Sequence, residues 1–384
     1  MRKKVLALLV CVLMLTVMFT GCKPATPGGG DVSDVIKIGA VFPMTGDVAT
    51  FGQSSKNALE LLVTDVNSKG GINGKQVQVI YEDDSNTPAN SANAIQKLIS
   101  NDKVCAVIGS VSSKCSIAMG PIATQNKIPM ISSTSTNPKV TTEGGEYVFR
   151  ACFIDPFQGT VIAKFSTETL QAKKAAVLFD VGNDYSKGLA EYFKAGFEKL
   201  GGQVVAFESY NAGDQDFNAQ LTKIKPSAPD VILLADYYNT VGLIAKQARA
   251  QGITATFVGG DGWDSADLYK VGGDAIDGGY FSNHYSADDT SPAVVEFKKL
   301  YETKYGGTPD ALAALAYDAG KIMFAAIQKA GSTDGAKIKD ALKASDLDVV
   351  SGHVTFDENR NPIKSAVMIK VVKEKYEFAG KVNP

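Results

Sequence analysis

Histidine is almost absent from this sequence, and the motifs that mark common enzyme classes are missing. The chain has two histidines among 384 residues, His284 and His353, and neither stands near a candidate nucleophile or has the spacing of a metal-ligand pair. A G-x-S-x-G elbow, a phosphate-binding loop and a G-x-G-x-x-G turn after a predicted strand are not found. We therefore expect no metal site and no cofactor, and an enzyme is an alternative without recognisable apparatus.

Cysteine is also scarce in the body of the chain. Cys105, Cys115 and Cys152 form an odd set without C-x-x-C spacing, which excludes a disulfide framework and a zinc ribbon. A single bridge between Cys105 and Cys115 is one alternative, and buried free thiols are the favoured one. The other two cysteines, Cys11 and Cys22, belong to the amino-terminal segment.

The sequence has no excess of either charge. It contains 39 Lys and Arg against 41 Asp and Glu, a net charge of −2, so nothing points to nucleic acid as a partner. Beyond residue 19 no apolar run is long enough to span a membrane. The composition, 45% hydrophobic and 21% charged, is typical of a globular protein, and a body of about 350 residues suggests two domains.

The amino terminus has the pattern of an export signal. Three basic residues precede an apolar run, Val5–Phe19, which is short for a bilayer span. The following Thr20-Gly21-Cys22 resembles a bacterial lipoprotein signal, in which the cysteine becomes lipid-modified. We therefore predict a signal peptide over residues 1–22 with lipidation at its last residue, and a flexible Pro- and Gly-rich tether over residues 23–34. The alternatives are an uncleaved anchor helix and an ordinary signal peptide.

Strands alternate with helices in two successive series, which predicts an α/β protein with two lobes built on parallel sheets. The predicted strands are 35–42, 77–81, 104–108 and 128–131 in the first series and 175–179, 204–207, 231–234 and 256–258 in the second. In both series a helix ends at Gly-Gly and a strand follows, at Gly70-Gly71 and at Gly201-Gly202. This echo indicates two lobes of one design.

The rest of the chain is too short for a third domain. Past Tyr285 the pattern predicts helices at about 291–304 and 309–330, and short strands near 352–356 and 365–372. These elements are expected to complete the two lobes, so the chain crosses between them more than once. The predicted limits are residues 35–154 plus 286–360 for lobe 1 and residues 155–285 plus 361–384 for lobe 2.

The residues that follow the predicted strands differ between the two series. Ligands bind at the carboxyl ends of strands in an open parallel sheet, where loops lead into helix amino termini. In the first series these loops carry hydroxyls, at Ser113 and over 132–136, which suit an anion. In the second series they carry aromatic residues and one carboxylate, Tyr237 and Asp261, which suit a cation with an apolar body. Together they predict a cleft for a small zwitterion; helix capping and turn formation are the alternatives.

Four segments carry a resemblance to a known family. They are residues 38–46 (IGAVFPMTG), 66–74 (VNSKGGING), 107–113 (VIGSVSS) and 184–188 (DYSKG). Over about residues 36–372 the chain resembles the substrate-binding proteins of branched-chain amino acid ABC transporters, the Leu/Ile/Val-binding type of periplasmic binding protein. The resemblance implies two Rossmann-like lobes joined by a hinge of several crossovers.

The same resemblance implies function and partners. It implies an exported monomer, held at the outer face of the membrane through Cys22 or free in the periplasm, that delivers a neutral amino acid to an ABC permease. The implied residues for the ligand carboxylate are Ser113, Thr134, Ser135 and Thr136, the implied ammonium partner is Asp261, and the implied pocket and lid residues are Phe51, Tyr185, Tyr237 and Trp263. Relatives often have Glu in place of Asp261 and Tyr in place of Phe51, and we expect Trp263 to set the size of the ligand.

Two rival classes use a similar two-lobed core. The first is the ligand-sensing module of a receptor for an amino acid or a small amide. The second is a transcription repressor, which the export signal disfavours. An enzyme would consume its ligand, whereas a binding protein releases it unchanged.

Overall fold

A five-stranded parallel sheet organises the first part of the molecule. The computed structural model describes residues 35–382, and the strand order in this sheet is β2-β1-β3-β4-β5. The strands are β1 (Val35–Phe42), β2 (Gln76–Asp83), β3 (Ala106–Gly109), β4 (Met130–Ser132) and β5 (Val148–Arg150). The central strands β1 and β3 are almost wholly buried because helices cover both faces of the sheet, as their unbroken apolar sequences predict.

Four helices follow the strands of this sheet. They are α1 (Ala49–Ser68), α2 (Pro88–Ser100), α3 (Ser113–Gln125) and the single turn α4 (Lys139–Thr142). Helix α1 turns Leu59, Leu61 and Leu62 into the core, and α2 begins with a proline, which suits the first helical position. Each strand-to-helix turn therefore lies at the carboxyl edge of the sheet.

A seven-stranded sheet organises the second part. Its order is β14-β13-β10-β9-β8-β6-β7, with β13 antiparallel to both of its neighbours. The strands are β6 (Lys174–Asp180), β7 (Gln203–Tyr210), β8 (Val231–Ala235), β9 (Thr256–Gly259), β10 (Tyr280–Asn283), β13 (Ala366–Val372) and β14 (Lys375–Val382). Its helices are α5 (Asp155–Lys164), α6 (Asp184–Lys199), α7 (Asn218–Ile224), α8 (Tyr238–Ala250) and α9 (Asp267–Gly272).

The later elements join both parts. Helices α10 (Pro292–Tyr305), α11 (Ala311–Ala330) and α12 (Gly335–Lys343) follow β10, and β11 (Asp346–Val349) pairs with β12 (Gly352–Thr355) as a separate hairpin. Helix α11 is buried nearly all round, and a Cβ at Gly320 would lie 2.7 Å from Leu62 of α1, so glycine allows the two helices to pack closely.

Most elements agree with the sequence pattern, and four strands do not. All eight strands of the two predicted series and both late helices are confirmed. Strands β5, β10, β11 and β14 were not predicted, and the predicted strand near 352–356 belongs to the hairpin instead of a lobe sheet. Strands β1–β5 fall inside the predicted limits of lobe 1, and β6–β10 with β13 and β14 fall inside those of lobe 2; the limits themselves stay a prediction.

Side-chain contacts join the two lobes across the cleft. Asn137 Nδ2 donates to the carbonyl of Asp184 at 2.8 Å, and Thr50 Oγ1 lies 3.1 Å from Ser265 Oγ. The hydroxyl of Tyr238 also reaches the carbonyl oxygen of residue 47 at 3.2 Å. Because these contacts bridge the two lobes, the cleft between them is closed in this structure.

The structure shows the state of the three cysteines of the body and the lengths of the helices. Cys105, Cys115 and Cys152 are free, as favoured; Cys115 and Cys152 are buried, and Cys105 is partly buried. Burial raises the pKa of the Cys152 thiol to about 12. In the stretch from 35 to 382 the helices are too short or too polar to cross a membrane. The predicted signal, tether and lipidated Cys22 lie outside the described residues.

Candidate functional site

A cavity lies between the carboxyl edges of the two sheets. The space there that protein atoms do not fill, counted together with open solvent, is about 260 Å³. Its wall is formed by Phe51, Val111, Ser113, Thr134, Tyr185, Tyr237, Asp261, Gly262 and Leu312. Six of these residues were named beforehand. Ser113, Thr134, Tyr237 and Asp261 follow predicted strands, and the family resemblance implied Phe51 and Tyr185.

The hydroxyl side of the cavity rests on the start of helix α3. Ser113 is the first residue of this helix, and its hydroxyl accepts a hydrogen bond from the amide of Asn137 at 3.2 Å. Thr134 Oγ1 donates to the carbonyl of Val111 at 3.0 Å, which ties the loop after β4 to the loop after β3. The first amides of a helix have no partner within the helix, so this wall is suited to an anion.

Glycine fixes where this loop starts. Strand β3 ends at Gly109, which has a φ of +122°, and a Cβ there would lie 2.2 Å from the carbonyl oxygen of Val41. Only glycine tolerates both the positive φ and the close approach of the neighbouring strand. The turn therefore leads directly into the segment that carries Ser113.

Two of the predicted hydroxyl residues do not line the cavity. The hydroxyl of Ser135 lies 2.7 Å from that of Ser116 and donates to the carbonyl of Val111 at 3.0 Å, so it holds the two loops together from behind. Thr136 is buried outside the wall, and its carbonyl accepts from the amide of Asp155 at 2.9 Å. Their assignment to the ligand carboxylate is therefore not supported by side-chain placement.

Asp261 forms the opposite wall and is surrounded by donors. It opens a single 3₁₀ turn after β9, Asp261–Trp263, and is 7% exposed. Gln158 Nε2 and the hydroxyl of Tyr185 donate to Oδ1 at 2.8 and 2.9 Å, and His284 Nε2 lies 2.9 Å from Oδ2. Hydrogen bonds to the charged form are what make a buried carboxylate tolerable.

The contact between Asp261 and His284 was not predicted from the sequence. The ring is 5% exposed and stacks on Phe153 with centroids 3.6 Å apart. Burial lowers the pKa of His284, against the raising effect of Asp261. No spacing in the sequence reveals this pair. The available signal was topological, because β10 runs parallel beside β9 and the residue after it therefore lies next to the loop after β9.

Aromatic rings and two aliphatic residues form the apolar part of the wall. The rings of Tyr185 and Tyr237 are parallel within 1° at a centroid distance of 5.3 Å. Phe51 meets Tyr237 edge-on at 5.8 Å. Val111 and Leu312 complete this surface, and neither was named from the sequence because a lone aliphatic residue gives no functional signal.

Trp263 is not part of the cavity wall. It is fully buried, its Nε1 donates to the carbonyl of Leu234 at 3.0 Å, and its ring faces Phe281. A Cβ at Gly259 would lie 2.1 Å from the indole, so the ring packs tightly against strand β9. Trp263 supports the Asp261 turn from behind, and the expectation that it sets the size of the ligand is corrected.

A second carboxyl group that the sequence analysis missed lies close by. Asp155 is the first residue of helix α5 and is fully buried. Burial, reinforced by the Asp261 carboxylate, raises the pKa of Asp155 well above its usual range. Between residues 35 and 382, no three metal-ligating side chains converge on a point.

Comparison with known proteins identifies a family and several solved structures that this chain resembles. Residues 35–377 match the family model described as periplasmic binding protein. A leucine-binding protein from Thermotoga maritima is 39% identical with a TM-score of 0.87, covering 91% of this chain and 99% of that one. A branched-chain amino acid transporter substrate-binding protein from Streptococcus pneumoniae, solved with isoleucine, is 35% identical with a TM-score of 0.86, covering 91% and 100%.

A relative found by sequence also has a name that refers to amino acid binding. The leucine-, isoleucine-, valine-, threonine- and alanine-binding protein of Pseudomonas aeruginosa is 30% identical over 328 residues, which are 85% of this chain and 87% of that protein. On the family match, the two-lobed α/β fold and the extent of these similarities, this chain belongs to the periplasmic binding protein family.

Proposed function

We propose that this chain is the substrate-binding component of an ABC importer and captures a small aliphatic amino acid, with branched-chain side chains as the first candidates. The observation that carries the proposal is a single cavity with a carboxylate on one wall, a helix start with hydroxyls on the other, and apolar residues between them. An α-amino acid presents the complementary groups in the same order. The relatives named above for leucine and for isoleucine support this choice of ligand.

The ligand carboxylate is assigned to the lobe 1 wall. The hydroxyl of Ser113 lies there, at the first residue of helix α3, whose first amides have no partner within the helix. Thr134 also lines this wall, and its hydroxyl proton, now donated to the carbonyl of Val111, would have to turn to the ligand. The partial positive charge of a helix amino terminus favours an anion by about 0.3–1 kcal/mol when exposed and more when partly buried. No lysine or arginine lines the cavity, so backbone amides and hydroxyls would provide the complementary charge.

The ligand ammonium is assigned to Asp261. Three donors already hold this carboxylate, and an ionised carboxylate has about four acceptor positions. One position therefore remains for an ammonium.

The ligand side chain is assigned to the apolar wall. Phe51, Val111 and Leu312 face the cavity, and its only acidic or basic side chain is Asp261. A charged ligand side chain would have no partner there, so a neutral aliphatic one is favoured.

Closure of the lobes would complete the site. Phe51, Val111, Ser113, Thr134 and Leu312 belong to predicted lobe 1, whereas the two tyrosines and Asp261 belong to lobe 2. An open form would present two half-sites, and hinge closure would bury the ligand between them. We assign uptake of the released ligand to an ABC permease in the membrane. The protein itself would be a monomer, held at the outer face of that membrane by a lipid on Cys22 or free in the periplasm.

A panel of amino acids tests the proposal. Thermal unfolding of the purified protein should shift upward with leucine, isoleucine or valine and not with aspartate or lysine, because ligands that bind only the folded state stabilise it. Mass spectrometry of ligand carried through purification should identify the same class. Nuclear magnetic resonance should find the ligand unchanged after long incubation; consumption would favour an enzyme, and no shift with any amino acid would contradict the proposal. A ligand-sensing receptor module would pass these tests as well. Reduced amino acid uptake by cells that lack the protein would favour the importer component, and unchanged uptake would favour the receptor.

A further inference from the structure

His284 and Gln158 both bond Asp261 without lining the ligand cavity. Of these two, His284 has an ionisable ring. It follows strand β10 and bonds Oδ2 of the carboxylate, whereas Tyr185 bonds Oδ1. The sequence resemblance assigns no role to this residue. Its burial and its contact with Asp261 raise the question of whether it only fills the core or also orients this carboxylate.

The ring can take only one protonation state that fits its surroundings. A carboxylate oxygen accepts hydrogen bonds, so Nε2, at 2.9 Å from Asp261 Oδ2, must carry the proton. Nδ1 is buried and has no hydrogen-bond partner, so a proton there would be unpaired. The neutral Nε2–H form therefore satisfies the site and acts as a fixed donor.

The orientation of the ring is set by its neighbours. Its face stacks on Phe153 at 3.6 Å with an interplanar angle of 27°. Its backbone amide donates to the side chain of Asn283 at 2.9 Å. Held at both the ring and the backbone, Nε2 has a fixed position before any ligand arrives, and such preorganisation lowers the entropic cost of binding.

We propose that His284 is a positioning residue that fixes Oδ2 of Asp261 as the acceptor for the ligand ammonium. Gln158 and Tyr185 both bond Oδ1, whereas Oδ2 receives one bond, from His284. The remaining acceptor capacity of the carboxylate therefore lies mainly on the oxygen whose place His284 determines. This inference rests on the proposed function, since it takes an amino acid ammonium as the group that Asp261 binds.

Substitutions that keep or remove the donor test the proposal. In His284→Gln the side-chain amide nitrogen can reach the position of Nε2, whereas in His284→Asn an amide of the same polarity is one methylene too short. His284→Met keeps a similar volume without a donor. The exposed His353, whose ring bonds Asp348 and which does not line the ligand cavity, provides His353→Met as the matched control.

The readout is the Kd for L-leucine by titration calorimetry, with ligand-free unfolding temperature measured alongside. Loss of a hydrogen bond to a charged group typically weakens binding by about 10-fold to 100-fold, so we expect this loss for His284→Met and His284→Asn. We expect His284→Gln and His353→Met to stay within about 3-fold of the wild type. If the Met variant does not fold, the Gln and Asn pair decides, because the two differ only in reach.

Two outcomes overturn the inference. One is a leucine affinity that is unchanged in His284→Asn or His284→Met, and the other is an equal loss in the Gln and Asn variants, which would indicate packing alone. Both leave the proposed function standing if the wild type binds leucine. A wild-type protein that binds no amino acid would instead contradict the proposed function, and the two failures are therefore distinguishable.

Discussion

The rings of Tyr185 and Tyr237 lie parallel within 1°, and the hydroxyl of the first donates to Asp261 at 2.9 Å. The same hydroxyl accepts a hydrogen bond from the amide of Gly262 at 3.0 Å. Tyr185 thus links the aromatic wall of the cavity to the turn that carries its carboxylate. The ring and the hydroxyl have separable roles, because the ring stacks while the hydroxyl orients Asp261.

Removing only the hydroxyl of Tyr185 should weaken ligand binding. In Tyr185→Phe the stacked ring remains, but Asp261 loses one of its three donors, so we expect the Kd for leucine to rise by about 10-fold. Tyr192→Phe on the same helix is the matched control, since that side chain is 36% exposed and lies outside the cavity wall. Equal Kd values for Tyr185→Phe and the wild type would contradict the role of the hydroxyl.

Removing the carboxylate of Asp261 should have a larger effect. An ammonium buried without its partner typically costs about 3–5 kcal/mol, so we expect Asp261→Ala to lose at least about 100-fold in amino acid affinity. Titration calorimetry with the ligand identified by the panel is the measurement. Asp267→Ala, a few residues along the chain but salt-bridged to Lys270 at the surface, should bind like the wild type. Undiminished binding by Asp261→Ala would remove the ammonium assignment.

Contacts between the lobes should determine how long a ligand stays bound. Asn137 Nδ2 donates to the carbonyl of Asp184 at 2.8 Å, and it is a buried residue. Lys139 pairs with the side chain of Asp184 at 3.0 Å, but both groups are partly exposed. Because exposed ion pairs contribute about 0–1 kcal/mol, Lys139→Ala should raise the dissociation rate by less than about 5-fold. Asn137→Ala should raise it by about 10-fold, since a buried donor is lost from the closed form.

Stopped-flow fluorescence separates these two variants. Ligand dissociation followed by displacement should be faster for Asn137→Ala, while the association rate changes little, because the contact forms only after the lobes close. A larger effect for Lys139→Ala than for Asn137→Ala would contradict this ranking.

The sequence predicted the lobe 1 and lobe 2 strand series because the central strands are buried apolar runs, and the half-buried edge strands β2 and β7 still carry several β-branched or aromatic residues. Six residues of the cavity wall were also named beforehand. Four of them follow predicted strands, where ligand-binding side chains collect, and Phe51 and Tyr185 came from the family resemblance. The sequence pattern missed β10 and β5, whose sequences YFSN and VFR end in polar residues and so form no unbroken apolar run. Without β10 in the sheet, nothing in the sequence could place His284 beside Asp261.

The error at Trp263 has a different cause. Position after a strand locates a residue at the cavity edge, but it does not determine which way the side chain points. Asp261 opens the turn and points into the cavity, while Trp263, at its end, turns back onto strand β9 and donates to the carbonyl of Leu234. A large apolar side chain gains more from full burial than from a half-open wall. The same limit applies to Ser135, whose hydroxyl serves neighbouring loops.

Replacing Asp236 by Asn should change the pH dependence of stability in a defined direction. Burial raises the pKa of this carboxyl from 3.8 to about 6, although Tyr210 and the amide of Tyr237 donate to it. The folded protein therefore binds a proton that the unfolded chain has released between about pH 4 and pH 6, and stability is lost as pH rises through this window. Two pKa units correspond to about 3 kcal/mol, so the unfolding free energy of Asp236→Asn relative to the wild type should rise by roughly that amount from pH 4 to pH 8.

Denaturant unfolding of both proteins at several pH values measures this difference. Asp230→Asn provides a control of opposite sign, because amides of Lys173 and Lys174 lower the pKa of Asp230 and the wild type should there lose stability as pH falls. A relative stability of Asp236→Asn that is flat across pH would contradict a protonated Asp236 in the folded protein.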